Sequence, residues 1–266
     1  MKIACTNAMA PGKTLTEKAL FLKRCGFDGI SVFEDIASWN EEKEKELLNL
    51  KGNTGVEICE FCFSGGFYGK LMSENEKTAE EAKKLYCKAI RIGNQIGAIS
   101  EMEYQYGLFK DPPLYHIYQK MSASQKTRFC SVFSELASEL SGGAMLLLEP
   151  INRYESEYLN TVEDNLEIIK EMELPGTGLL ADIFHMSIEE RDICESLRNA
   201  GTYIKHVHLG DSNRLLPGKG HLNWKEIFDT LKDIGYSGYV NLECALSESD
   251  VERELSEQVE FLRKYI

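Results

Sequence analysis

The fold is decided by residues 206–243, HVHLGDSNRLLPGKGHLNWKEIFDTLKDIGYSGYVNLE. This stretch begins with an apolar run, passes through a polar turn and continues into a segment whose apolar residues recur every three or four positions. Those residues are Trp224, Ile227, Phe228, Leu231 and Ile234, and their spacing predicts a helix with one face on a core. The glycine turn GYSG then leads into a second apolar run. Parallel strands need a crossover connection, usually a helix, so this order predicts a βαβ unit.

The same alternation is repeated along the whole chain. Segments rich in β-forming residues fall at 2–6, 28–33, 55–61, 98–103, 143–149, 177–182, 204–209 and 238–243, and a helical pattern follows each of them. Eight such units predict a (β/α)8 TIM barrel, an α/β fold, as a single domain over residues 1–266. An open doubly wound sheet is the weaker alternative, because no glycine-rich phosphate fingerprint follows the first strand.

The composition indicates a soluble globular protein. Hydrophobic residues make up 43% of the chain and charged residues 27%, which are ordinary values. The opening MKIACTNAMA has no apolar signal-peptide core, and no stretch approaches the roughly 18 apolar residues of a membrane span. We therefore expect a cytoplasmic protein with no membrane partner. The net charge of −13 repels phosphate backbones, so nucleic acid is not expected as a partner either.

The eight cysteines are scattered through predicted strands and helices. This distribution favours reduced thiols that pack in the core over a disulfide framework. Cys59 and Cys62 form a C-x-x-C pair, but no second pair follows and the segment is typical of a strand. A structural zinc or redox role for this pair is therefore the weaker interpretation.

Four of the predicted strands finish on an ionisable residue. Strand five ends in LLLE, strand six in LLAD, strand seven in HVH and strand eight in NLE, which gives Glu149, Asp182, His208 and Glu243. Active sites of TIM barrels lie at the carboxyl ends of the strands, so these four side chains should meet at the barrel mouth.

Three carboxylates in one barrel mouth would repel each other, and burying them uncompensated is costly. A divalent cation is the natural counter-charge. Three oxygen ligands and one imidazole suit Mn²⁺, Mg²⁺ or Co²⁺, whereas the sites that hold structural zinc are rich in thiolates. We predict one such ion, Mn²⁺ ahead of the other two, and no nucleotide cofactor.

Other polar residues near the strand ends are open to a structural or a functional interpretation. Glu155 could be solvated in a charged turn, and His185 could simply begin a helix. His206 is expected to be a hydrogen-bonded interior group, and Asp164 a helix-capping residue. Asn7 and Glu34 also follow strand ends and are possible contacts at the mouth. The aromatic segment EYQYGLFKDPPLYHIYQKM, residues 103–121, could be a lid, a substrate wall or a dimer contact.

Residues 149–243 resemble a known family. The segments EPINRYE, ADIFHMSIEE, HVHLGDSNRLLPGKGHLNW and NLE occur in order, and they are similar to those of the sugar isomerase/epimerase family with a xylose-isomerase-like barrel. The resemblance is greatest to the ketose 3-epimerases of the tagatose and psicose type. It is specific in this region and only architectural over the first 140 residues.

The resemblance implies roles for the candidate residues. Glu149, Asp182, His208 and Glu243 would hold the metal, and Glu149 and Glu243 would also transfer protons. Glu155, His185 and Arg214 would bind the oxygens of a small sugar. The implied reaction is epimerisation of a free keto-sugar through a cis-enediolate, by a homo-oligomer (a dimer or a tetramer). The same metal site could instead serve an aldose–ketose isomerase or an isomerase of inositols or sugar phosphates.

Two other classes of function are disfavoured. Zinc endonucleases that cut DNA at abasic sites share this barrel type, but they need histidines at early strand ends, where this chain has VFED and FCFSGG. A non-catalytic sugar-binding barrel would be expected to lack a ligand or a proton-transfer carboxylate, and all four residues are present here.

Overall fold

The computed structural model describes residues 1–107, Tyr115 and residues 119–266. Within these residues, eight parallel strands form a closed barrel in which each strand pairs with its neighbours in sequence order and β8 pairs with β1. The strands are β1 Lys2–Thr6, β2 Gly29–Asp35, β3 Glu57–Ser64, β4 Ile99–Met102, β5 Met145–Leu148, β6 Thr177–Asp182, β7 Ile204–Leu209 and β8 Tyr239–Leu242. The predicted (β/α)8 barrel is therefore confirmed. The segment 103–121 lies partly outside the described residues.

Helices cover the outside of the barrel. They are α1 Leu15–Cys25, α2 Glu41–Thr54, α3 Glu76–Ile96, α4 Ala123–Ala137, α5 Val162–Met172, α6 Ile183–Glu189, α7 Ile193–Ala200, α8 Trp224–Asp233 and α9 Val251–Arg263. Each of these helices begins after a threonine, asparagine, serine or aspartate whose side chain accepts a backbone N–H of the first turn. Such caps satisfy donors that a helix leaves unpaired at its start, and so they define where each helix begins.

The apolar core has two parts. The larger part lies between the strands and the helices and includes fully buried side chains such as Phe61, Phe133 and Phe228. The smaller part, formed by Ile99, Leu147 and Leu180, lies on the inner face of the barrel. Because side chains alternate along a strand, the residues two positions after Leu147 and Leu180, which are Glu149 and Asp182, share this inner face. The barrel interior is thus apolar below and ionisable above.

A bulge in β3 changes which of its side chains face inward. Ile30 of β2 pairs with Ile58, but the next residue, Ser31, pairs with Glu60, so Cys59 is an extra residue in the ladder. A bulge of this kind reverses the alternation of side chains beyond it. Glu60 consequently lies opposite Ser31 on the inner face of the barrel.

All eight cysteines lie within the described residues, and all are free thiols. Cys59 Sγ contacts the carbonyl of Ile30 at 3.4 Å, whereas Cys62 Sγ accepts the N–H of Glu101 at 3.4 Å. The two thiols of the C-x-x-C pair thus have separate partners. None of the helices in the described ranges is both long and apolar enough to cross a membrane.

The turn between α4 and β5 generates a stability prediction. Gly142 has a φ of 62°, and a Cβ there would lie 2.3 Å from the backbone oxygen of Asn94 in α3. Gly143, with a φ of 84°, has no atom within 4 Å of its own Cβ position among the described residues. We expect Gly143→Ala to lower the free energy of unfolding by about 1–2 kcal/mol because of its left-handed backbone. Gly142→Ala should cost about 1–3 kcal/mol more, since the backbone must also move.

Urea denaturation of the two alanine variants measures this difference. Equal destabilisation of both variants would contradict the close packing of this turn against α3.

Candidate metal centre and substrate cavity

Four ionisable side chains converge at the carboxyl ends of β5 to β8. Glu149 directly follows β5, Asp182 ends β6, His208 lies in β7 and Glu243 directly follows β8. One ligand atom from each of these residues lies within 4.8 Å of the others. The sequence predicted this grouping.

The imidazole of His208 is at the centre of the group. Its Nδ1 lies 2.9 Å from Glu243 Oε2, 3.7 Å from Glu149 Oε1 and 3.9 Å from Asp182 Oδ2. Asp182 also caps α6, because its Oδ1 accepts the N–H of His185 at 3.1 Å. Its second oxygen is thereby directed to the group. Glu243 is the most accessible member, with 24% of its side chain exposed.

The pKa values of Glu149 and Glu243 are shifted in opposite directions. Burial raises the pKa of Glu149 to about 8, with the Asp182 and Glu243 carboxylates adding to the effect and His208 opposing it. Burial also acts to raise the pKa of Glu243, but His208 and Arg214 outweigh it and hold that pKa at about 2. The same residue type thus has two electrostatic environments within one site.

The residues present fit a divalent cation. Glu149 Oε1 is buried and has no hydrogen-bond partner among the described residues, and the buried His208 Nδ1, although 2.9 Å from Glu243 Oε2, is not aligned with it for a hydrogen bond. A buried polar atom without a partner is costly. An ion bound between three carboxylates and one imidazole would satisfy both atoms and offset the repulsion between the carboxylates. An oxygen-rich donor set of this kind suits hard divalent ions such as Mg²⁺ and Mn²⁺.

Sequence reasoning missed Glu60, which lies beneath this group. Its side chain is fully buried, and its Oε2 lies 3.0 Å from His208 Nε2 and accepts the hydroxyl of Ser31. The one available signal was an acidic residue within the apolar run EICEFCF. Regular alternation in β3 does not indicate that this residue faces inward, because the bulge at Cys59 intervenes.

A cavity of about 630 Å³ opens above this group of four side chains. Glu149, Glu243, His185 and Arg214 contribute polar groups to its wall. Apolar and aromatic side chains complete much of the rest; they include Met9, Phe33, Tyr68, Tyr106 and Ile151. A concave, mostly apolar wall with a few convergent polar groups is typical of a small-molecule site.

A chain of hydrogen bonds links the predicted substrate-binding residues. Arg214 donates to Glu155 Oε1 at 3.0 Å, and Asn152 Nδ2 donates to the same oxygen at 2.9 Å. The amide of Asn152 also contacts His185 Nδ1 at 2.7 Å. Arg214 and His185 line the cavity. Glu155 does not line it and contacts Arg214 instead. Sequence reasoning missed Asn152, which connects the two ends of this chain.

The polar turn after β7 is organised around one carboxylate. Asp211 is fully buried; its Oδ1 accepts the N–H groups of Ser212 and Leu222, and its Oδ2 accepts those of Gly218 and the Trp224 indole. Burial alone would raise the pKa of Asp211, but these donors hold it below the ordinary value. Arg214 leaves this turn with a φ of 57° and reaches the cavity.

Three of the remaining candidates have side-chain or backbone partners, whereas Nε2 of His206, expected to be a hydrogen-bonded group, has none among the described residues. Asn7 donates to Glu34 at 3.0 Å, and Glu34 pairs with Lys43 at 2.7 Å. His206 is buried one layer below His208, with its Nε2 3.8 Å from Glu60, and burial lowers its pKa to about 4. Asp164 donates its N–H to the capping Thr161, as expected.

The chain matches known proteins along most of its length. A sequence model described as xylose isomerase-like TIM barrel matches residues 20–265. The 3-dehydro-D-guloside 4-epimerase of Escherichia coli strain K12 is 26% identical over 266 residues, which cover 99% of this chain and 99% of the relative.

Two further comparisons agree with this. A probable ketose 3-epimerase of Synechocystis sp. is 29% identical over 222 residues, covering 83% of this chain and 75% of the relative. The crystal structure of a 3-keto-D-glucoside 4-epimerase from E. coli, in its apo form, superposes with a TM-score of 0.84 at 25% identity, over 99% of each chain.

The turn held by Asp211 generates a second prediction. In Asp211→Asn, one side-chain oxygen becomes an amide, so two of the four donors lose their acceptor. We expect the free energy of unfolding at pH 7 to fall by about 1–3 kcal/mol, and KM to rise more than kcat falls, because Arg214 loses its support.

The loss of stability in Asp211→Asn should depend on pH. Since the pKa of Asp211 is lowered in the folded protein, its stabilisation is present above the ordinary aspartate pKa of about 3.9 and is lost as the pH falls through the folded value. Denaturation at several pH values measures the difference between wild type and Asp211→Asn. Lys219→Ala, an exposed change in the same turn that removes a surface ion pair of 3.7 Å with Glu248, is the control. An Asp211→Asn variant no less stable than this control would refute the role of Asp211.

Proposed function

Because the chain belongs to the xylose isomerase-like TIM barrel family, we propose that it is a metal-dependent ketose 3-epimerase that acts on a small, free keto-sugar. The observation that carries the proposal is the convergence of Glu149 and Glu243 on His208 and Asp182 at the floor of a sugar-sized cavity. Two carboxylates at such a floor supply the acid and the base that inversion at a carbon next to a carbonyl requires.

Four residues would hold the ion: Glu149, Asp182, His208 and Glu243. A bound divalent ion, Mn²⁺ by preference, supplies Lewis-acid polarisation of the ketone and so makes the neighbouring C–H more acidic. The protein contributes the other steps. Inversion requires that a proton leave one face of the carbon and that another arrive at the opposite face.

Glu149 follows β5 and Glu243 follows β8, and strands β6 and β7 lie between them in the barrel. In the proposed reaction one of these carboxylates removes the proton at carbon 3, which leaves an enediolate. The other returns a proton from the opposite face and regenerates the ketone with inverted configuration. The reverse reaction exchanges the two roles.

Arg214, His185 and Glu155 would orient the sugar. The Arg214 guanidinium lies 4.7 Å over the ring of Phe184 and is held by Glu155, so its donors are fixed at the cavity wall. His185 Nδ1 accepts the backbone N–H of Asn152 at 3.3 Å. Nδ1 is therefore used as an acceptor, and the N–H of Nε2 can donate to a sugar oxygen. Glu155 uses Oε1 for both its side-chain hydrogen bonds and does not line the cavity, so it would act on the sugar through Arg214.

A second candidate reaction is epimerisation at carbon 4 of a 3-keto-glycoside. The full-length similarity to an E. coli 4-epimerase favours it. The chemistry is the same, because carbon 4 is adjacent to a ketone at carbon 3 just as carbon 3 is adjacent to a ketone at carbon 2. The homo-oligomeric state and the cytoplasmic location stay predictions.

Deuterium exchange distinguishes these reactions. The protein, stripped of metal and then given Mn²⁺, is incubated in D₂O with fructose, tagatose, psicose, ribulose, xylulose or a 3-keto-glucoside, and the products are followed by NMR. We expect Mn²⁺-dependent label at carbon 3 of a ketose together with its epimer. Label at carbon 4 of the 3-keto-glucoside would identify the 4-epimerase instead. Label at carbon 1 or 2 with an aldose appearing, or no exchange at all, would refute both candidates.

Substitution of each proton-transfer residue tests the acid–base pair. Glu149→Gln and Glu243→Gln should each lower the epimerisation rate by about 10²–10⁴-fold while the far-ultraviolet circular dichroism remains unchanged. A variant that keeps one functional carboxylate is expected to exchange deuterium into one epimer only. Bound Mn²⁺ is measured in the same samples, because both residues are also proposed ligands.

The matched control is Glu103→Gln. Glu103 is likewise buried, but its Oε1 accepts the hydroxyl of Tyr86 at 2.5 Å. This control should epimerise at the wild-type rate. Epimerisation at the wild-type rate by Glu149→Gln or by Glu243→Gln would show that the proton-transfer assignment is wrong.

A further inference from the structure

We propose that Glu60 is a positioning residue for the metal centre: it binds the far side of the His208 imidazole and so directs Nδ1 of that ring to the ion. The proposal rests on the proposed metal-dependent function. It concerns a residue that the candidate ligand set does not include and that lies on a different strand from all four ligands.

The geometry of His208 carries the inference. Its two ring nitrogens face two different acidic environments. Nδ1 faces Glu149, Asp182 and Glu243, whereas Nε2 lies 3.0 Å from Glu60 Oε2. A neutral imidazole has one protonated nitrogen and one nitrogen with a free lone pair. With the proton on Nε2 and donated to Glu60, the lone pair of Nδ1 is available to the ion.

The alternative position of the proton explains why a partner is needed. Three carboxylates lie within 3.9 Å of Nδ1, and together they would attract a proton to that nitrogen. A proton on Nδ1 would occupy the place where the ion must bind. Glu60 offsets this attraction from the opposite side of the ring. Metal-binding histidines commonly donate their other N–H to a carboxylate, which fixes the tautomer and increases the basicity of the ligand.

Glu60 itself is held in place by neighbouring side chains. The hydroxyl of Ser31, its cross-strand neighbour on β2, donates to the same Oε2. The bulge at Cys59 is what directs the carboxylate inward. These contacts orient Glu60 without using His208, so the carboxylate can act as a fixed reference for the ring.

A purely structural role does not account for a carboxylate at this position. Glu60 is fully buried, and its Oε1 has no partner among the described residues. Burial of a charge that is only partly compensated is costly, and an apolar side chain of similar volume is often at least as stable. Features that lower stability in this way are concentrated at functional sites.

Metal affinity tests the proposal without any assay of turnover. The dissociation constant of Mn²⁺ is measured by titration of the metal-stripped protein, with free Mn²⁺ followed by electron paramagnetic resonance. Glu60→Gln should raise this constant by about 10–100-fold, which is the effect that loss of such a partner has in other metal sites. Glu60→Asp, which keeps the carboxylate on a shorter stem, should recover part of the affinity. Glu103→Gln is the control and should bind Mn²⁺ like the wild type.

A spectroscopic measurement separates positioning from a general loss of stability. Protein labelled with ¹⁵N-histidine and loaded with diamagnetic Zn²⁺ is examined by NMR, and the His208 signals are assigned from a His208→Asn variant. In the wild type we expect Nδ1 to be bound to the metal and Nε2 to carry a strongly hydrogen-bonded, downfield proton. In Glu60→Gln this proton should move upfield.

The outcomes are distinct. Wild-type Mn²⁺ affinity in Glu60→Gln, or a Zn²⁺ complex in which Nε2 binds the metal, would overturn the proposal for Glu60. Weaker Mn²⁺ binding in Glu60→Gln, together with no sugar turnover by the wild type, would support the role of Glu60 and refute the proposed reaction. A wild-type protein that binds no divalent ion would overturn both.

Discussion

Repulsion between three carboxylates at the end of a closed barrel is the constraint on which the rest of this structure depends. Glu149, Asp182 and Glu243 each lie within 3.9 Å of the same imidazole nitrogen, in a region where little water can screen their charges. A cation between the carboxylates offsets this repulsion, and so does a proton on Glu149, whose pKa burial raises to about 8. The apolar layer beneath, the bulge in β3 and the turn around Asp211 each place or support a group that faces this point.

The barrel interior can be understood as a series of layers. Ile99, Leu147 and Leu180 form an apolar floor on three adjacent strands. Glu60 and His208 lie between this floor and the cavity, and the hydrogen bond between them crosses the barrel from β3 to β7.

Much of this arrangement could be predicted from the sequence. The barrel follows from eight repeats of an apolar run and an amphipathic helix, and the grouping of four ionisable side chains at its mouth follows from four runs that end on an acid or a histidine. Glu60 was missed because its direction depends on a one-residue bulge, and a single inserted residue reverses the side-chain alternation of a strand. Asn152 and Asp211 were missed for another reason. Their functions consist of contacts with residues such as His185 and Trp224 that only the fold brings close.

We propose that the four strand-end residues bind one divalent ion through the Nδ1 side of His208. Diffraction from crystals soaked in Mn²⁺, recorded at a wavelength at which manganese scatters anomalously, tests it most directly. We expect one strong anomalous peak bonded to Glu149, Asp182, His208 Nδ1 and Glu243, with Glu60 retained at Nε2. A peak among Glu60, Cys62 and Glu101, which also approach each other closely enough to hold an ion, or no peak at the barrel mouth, would contradict it.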